Sequence, residues 1–152
     1  MRFLLLLLIA GCSEAHAVAP KKAKLPLGEQ LVREASARPK RAVRPEQLIE
    51  ALAAKGVTIA RHRQVLASPV EASYCEALTT AQGLGLALCE YADADAAANG
   101  RAQSKRAFDR LIPGRALDTN ANSLLTVTAA GNDEGERQRE LARRTFAALQ
   151  PR

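Results

Sequence analysis

Three cysteines, two histidines and one short run of acids hold most of the reactive chemistry this chain could offer. Cys75 and Cys89 sit inside Tyr74 to Tyr91, where two β-like runs flank Ala81-Gln82-Gly83, a three-residue loop whose glycine can take the left-handed conformation. A hairpin centred on Gln82 puts Cys75 directly opposite Cys89. Directly opposed Cβ atoms lie about 4.5–5.5 Å apart, close to the roughly 3.5–4.5 Å that a disulfide uses. The expectation is an oxidised pair closing a loop of about 15 residues, which stabilises by about 3 kcal/mol. The alternative is two small unpaired core residues. The same register puts Leu78, Leu84, Leu86 and Leu88 on one face, the expected core face, and Ala77, Thr79, Gly85, Ala87 and both cysteines on the other.

The remaining candidates point to less. His16 lies in a polar N-terminal stretch, and His62 lies between Arg61 and Arg63 with no sequence partner, as a solvent-facing strand histidine would. His62 becomes a candidate general base only if it lines a pocket with Asp or Glu in reach. Glu90, Asp93 and Asp95 could form a metal or acid–base cluster, but helix capping accounts for them more simply. Gly83-Leu84-Gly85 lacks the rest of any phosphate-binding pattern. No catalytic residue, metal site or cofactor is expected.

Cys12 is the third cysteine, and it has a different context. Arg2 provides a minimal positive start, and Phe3 to Ala10 is an uninterrupted apolar run. Eight helical residues cover about 12 Å, far short of the ~20 residues of a bilayer crossing, so the run reads as an export signal. Its end, Ile9-Ala10-Gly11-Cys12, resembles the lipobox of bacterial lipoproteins. The resemblance implies cleavage before Cys12, a diacylglycerol thioether on its sulfur and acylation of the new N-terminus. Ala15-His16-Ala17 would also serve an ordinary signal peptidase, which leaves Cys12 as an accidental cysteine. One acyl chain holds a protein only marginally, whereas the three implied would anchor it durably. Ser13 follows the cysteine, so by analogy with enteric lipoproteins the expected address is the periplasmic side of the outer membrane rather than the inner one. Three cysteines in an exported chain divide into one lipidated and one pair.

The charge is unevenly placed. The chain carries a formal +6. Residues 13–44 hold eight basic residues against three acidic, a net of +5, while residues 45–152 hold 13 of each and are neutral. A nucleic-acid-binding domain would put its patch on folded structure, so nucleic acid is not expected as a partner. A basic segment beside a lipid anchor suits an anionic membrane surface or peptidoglycan, or is merely a self-repelling spacer.

The elements that must position these residues follow from patterning. Residues 12–44, rich in Ala, Pro, Lys and Arg, are expected to form a disordered tether, with at most a marginal helix over Leu25 to Ala35. Pro45, then Leu48, Ile49, Leu52 and Ala53, with Gly56 after them, predicts a helix. Val57 to Leu66 predicts a strand with Val57, Ile59 and Val65 on one face. Asp93 to Ile112 predicts a helix, with Ala97, Ala98, Phe108, Leu111 and Ile112 inward and a possible kink at Asn99-Gly100. Arg115 to Ala130 predicts a strand or hairpin turning at Asn120-Ala121-Asn122, and Asp133 to Leu149 a last helix with Leu141, Phe146 and Leu149 inward.

The expected fold class is α+β: a small antiparallel sheet with helices packed on one face, order α-β-β-β-α-β-α, loosely resembling ferredoxin-like folds. The expected domains are a signal peptide at 1–11, the lipidated Cys12 and tether at 12–44, and the α+β domain at 45–152. The expected function is a lipid-anchored envelope lipoprotein whose domain is a non-catalytic module binding an envelope protein or wall component. The alternatives are a structural lipoprotein contacting the wall through its basic tether, and an envelope hydrolase using His62. An open sheet edge that could take up a partner strand is generic to such a fold.

Overall fold

The computed structural model describes residues 25–152. The signal-like run, Cys12, His16 and the tether as far as residue 24 lie outside the described residues. In chain order the elements are α1 (Leu27–Ser36), α2 (Pro45–Ala53), β1 (Ile59–Val65), a 3-10 turn (Ser68–Val70), β2 (Tyr74–Thr80), β3 (Gly85–Glu90), α3 (Ala94–Phe108), β4 (Ala116–Asn120), β5 (Ser123–Val127) and α4 (Asp133–Ala148). The class is α+β, as expected. The five strands form one sheet in the order β1-β2-β3-β5-β4, every neighbouring pair antiparallel. Hairpin connections link β1 to β2, β2 to β3 and β4 to β5, while the excursion through α3 carries the chain from β3 past the position of β5 to the edge strand β4. It is not the interleaved order of a ferredoxin-like fold.

The β2–β3 hairpin forms in the expected register. Thr80 N–H donates to the Leu84 carbonyl, and Ala81-Gln82-Gly83 makes the loop, with Gly83 at φ +89°. Cys75 lies opposite Cys89 and the two are joined as a disulfide, with Cα atoms 4.1 Å apart. The staple joins the central strand, β3, to its neighbour β2.

Strand alternation then sets two cores. Leu78, Leu86, Leu88, Leu125 and Val127 face Leu48 and Leu52 of α2 and Ala142 and Phe146 of α4. On the opposite face Cys75, Cys89, Leu117 and Leu124 pack with Tyr91, Ala67 and Ala97 of α3. The helices are therefore divided between the two faces rather than gathered on one. Leu124 and Leu125 explain why: successive residues of a strand point to opposite faces, and here both are apolar and both are buried.

β1 departs from simple alternation. Its register against β2 slips by one residue between Ile59, which pairs with Thr80, and Arg61, which pairs with Thr79, leaving Ala60 as a bulge. Ile59 and Val57 thus join the α2/α4 core, while Val65 joins the α3 core. The single face expected for Val57, Ile59 and Val65 is split by one inserted residue. The bulge also aims Arg61 and Arg63 at the α3 side of the sheet, beyond the reach of α3.

α3 runs unbroken through Asn99-Gly100. Gly100 is buried against the Tyr91 ring, and a Cβ there would lie 2.2 Å from Cε1. The glycine permits close approach of helix and sheet; it does not end the helix. α3 buries Ala97, Gly100 and Ser104, and stops at Phe108, so Leu111 and Ile112 are exposed rather than inward. Ala98 is exposed as well. Between α3 and α4 the chain forms two strands, β4 and β5, where the expected order had one; α4 lies where patterning put it, with Asn132 capping it by accepting from Gly135 N–H.

The largest departure is at the N-terminal side. Residues 27–44, expected as tether, belong to the folded domain. α1 buries no residue, yet Glu34 accepts from Ala67 N–H and the Leu31 carbonyl accepts from Gln64 Nε2. Ala42 and Val43 are fully buried. Ala42 bridges Ala121, Ser123 Oγ donates to the Val43 carbonyl, and Arg152 N–H donates to the Ala42 carbonyl. Sparse apolar residues did not prevent ordering because backbone and charged groups supply the contacts. Among the described residues, no helix is long and apolar enough to cross a membrane.

Two outcomes test this packing by chemical denaturation. Gly100→Ala should destabilise by about 1–3 kcal/mol despite alanine's better helix propensity, because the tyrosine ring has no room to give. Cys75→Ala/Cys89→Ala should cost about 3 kcal/mol.

Candidate binding face at the edge strand

β1 is an edge strand of sequence Ile-Ala-Arg-His-Arg-Gln-Val, and its residues 60–63 are all exposed. Alternation sends Arg61 and Arg63 to one face and His62 and Gln64 to the other. Arg61 pairs across Thr79 and Arg63 across Ala77, so both arginines stand beside small residues. Together these residues line an open groove of about 610 Å³ along the edge. Among the described residues neither arginine has an ion-pair partner, in contrast to Arg38, Arg115, Arg137, Arg139, Arg143 and Arg144. Two unpaired guanidiniums over an uncharged floor attract anions.

The other face of the same strand carries a polar network. His62 Nδ1 lies 2.6 Å from Glu76 Oε1, a cross-strand diagonal contact, and Tyr74 Oη donates to Glu76 Oε2 at 3.0 Å. An Nδ1–H directed at Glu76 leaves Nε2 pointing away from the carboxylate. Arg38 lies over the Tyr74 ring, 4.4 Å from its centroid. Its guanidinium donates to Glu46 at 2.6 and 2.9 Å, and to Glu90 through Nε at 3.1 Å. Glu90 is completely buried. Burial pushes the Glu90 carboxyl up, against the opposing pull of Arg38. The hydrogen bond from Arg38 holds Glu46 below its ordinary value of 4.5. Burial, and next to it the Glu76 charge, pushes Tyr74 up to about 12.

The candidates from the sequence are thereby placed. His62 has a carboxylate in reach and borders the groove, the two conditions for a general base, but its side chain is 64% exposed. Among the described residues no Ser, Thr or Cys side chain hydrogen-bonds to it, so the pair is a base and its orienter without a nucleophile. Glu90, Asp93 and Asp95 do not converge: Glu90 is held by Arg38, and Asp93 caps α3 by accepting from Ala96 N–H at 2.8 Å. Among the described residues no three His, Cys, Asp or Glu side chains are grouped to hold a metal ion.

Sequence reasoning missed Glu76 as the partner of His62 and Arg38 as the partner of Glu90. The first was within reach, since placing β1 beside β2 brings the two residues to one face. The second, 52 positions away, left no signal. No family model, no curated protein and no solved structure matches this chain.

Two measurements test the network. Arg38→Met should cost about 3–5 kcal/mol by stranding the Glu90 charge, and adding Glu90→Leu should recover part of it. For Glu46, a folded value below the unfolded one means stability present above pH 4.5 and lost as pH falls through the folded value. Glu46→Gln should therefore flatten the acid limb of a stability–pH curve below about pH 4.5, while changing neutral-pH stability by less than about 1 kcal/mol.

Proposed function

We propose that this is a lipid-anchored cell-envelope protein whose stapled α+β domain is a non-catalytic binding module for an anionic envelope component. The observation that carries the binding part is the exposed β1 groove with its two unpaired arginines. Two others support the address. Ile9-Ala10-Gly11-Cys12 has the order and spacing of a lipobox, and the Cys75–Cys89 disulfide suits an oxidising compartment outside the cytosol. The basic segment is a weaker candidate for the contact, since Arg38 is engaged by Glu46 and Glu90. A hydrolase reading has the His62–Glu76 pair in its favour but, among the described residues, no Ser, Thr or Cys bonded to it.

Crosslinking in intact cells, followed by capture through a C-terminal tag, tests the reading. The expected outcome is a reproducible partner lost with Arg61→Glu/Arg63→Glu and kept when the tether's Lys21, Lys22 and Lys24 are changed to Gln or when His62 is changed to Ala. Intact mass on the same sample should show an acylated Cys12. Capture that depends on the tether lysines alone, or an unmodified Cys12, would overturn the corresponding half of the proposal.

A further inference from the structure

We infer that the partner is an acidic peptide segment in extended conformation, which adds to the sheet as a strand beside β1 and places alternate carboxylates against Arg61 and Arg63. This rests on the binding-module reading and names its ligand class. Three features of β1 point the same way.

The first is the edge itself. Among the described residues β1 pairs only with β2, so one side of its backbone faces outward, and an edge of this kind is completed by another backbone of β spacing. At its far end the strand is overhung by α1, which receives Gln64 Nε2 and holds Ala67 N–H. The open stretch is thereby limited to residues 60–63, each exposed, enough for a short segment rather than a long strand.

The second is the charge spacing. Arg61 and Arg63 are two positions apart and share a face, so their stems stand roughly 7 Å apart along the strand. That is the repeat of alternate side chains on a neighbouring strand, and directly opposed charges of unlike sign stabilise such a pair. A peptide with acids at every second position matches both arginines at once. An anionic polysaccharide could satisfy the guanidiniums but would leave the backbone edge unpaired.

The third is the freedom of the arginines: their β2 partners, Thr79 and Ala77, offer neither an opposite charge nor bulk, and α3 packs toward the Cys75–Cys89 end of this face. The Ala60 bulge is what sends both arginines to this face. Charge on an edge strand also keeps like edges apart, and that role alone predicts no ligand.

The test uses the full-length chain, isotope-labelled, in detergent micelles. It is titrated with a seven-residue peptide alternating threonine and glutamate, with its lysine counterpart, and with dextran sulfate as a non-peptide polyanion. The expected result is chemical-shift change and slowed amide exchange confined to residues 60–63 and their β2 neighbours, for the glutamate peptide only. Arg61→Glu/Arg63→Glu should weaken that peptide by about tenfold or more and confer binding of the lysine peptide, a swap that mere unfolding cannot mimic. No response to the glutamate peptide overturns the inference. So does dextran sulfate binding at Arg61 and Arg63 while the β1 amides stay unprotected, although that result leaves the binding module standing as an anion site. A cell-capture partner that survives the charge reversal would instead sink the module's placement at this edge.

Discussion

A carboxylate with no access to water must be answered by a cation, and much of this fold is arranged around that requirement. Glu90 closes β3 at the centre of the sheet, and the cation that answers it, Arg38, comes from the far side of α2 in the sequence. To reach Glu90, the chain from α1 onwards must lie across one end of the sheet. There the same guanidinium also holds Glu46, at the start of α2, and covers Tyr74 at the start of β2. One side chain thereby ties the start of α2 to β2 and β3. Hydrophobic burial supplies the driving force of the two cores but is indifferent to such detail. The ion pair is directional, and its removal leaves an uncompensated charge.

What could be read in advance divides along the same line. The β2–β3 hairpin, its staple, the last hairpin and α4 were legible, since turn residues, alternation and helical spacing are local and agree with one another there. The inclusion of Arg38 to Val43 was not legible. Those residues look like linker by composition, and what orders them is contact with Glu90, Ala121 and Ser123, all distant in sequence. Gly100 misled in a different way. A glycine after an asparagine has the composition of a helix end, whereas here it serves an aromatic ring that only the assembled sheet brings near.

The candidate site shows the same mixture. Arg61, His62 and Arg63 were visible as a charged strand, but not the faces they occupy, because a one-residue bulge reverses the parity of everything after it. Read without the bulge, the arginines would share the α2/α4 face with Ile59. The inserted Ala60 puts them instead on the opposite face, beside Ala77 and Thr79. It also lets β1 give Ile59 to one core and Val65 to the other. The same strand therefore closes both layers and exposes its middle.

The position of α1 has a mechanical consequence. Any pull on the chain before Leu25 enters the domain through a helix that buries none of its residues and is joined to the sheet by a few hydrogen bonds near Gln64 and Ala67. Such a helix peels at low load, one contact after another. The load then reaches Arg38 and the buried Ala42–Val43 seam, where an ion pair and several backbone bonds would have to fail together. The N-terminal side of the domain is thus built as an extensible leader in front of a lock. Stretch is absorbed there before the stapled strands feel it.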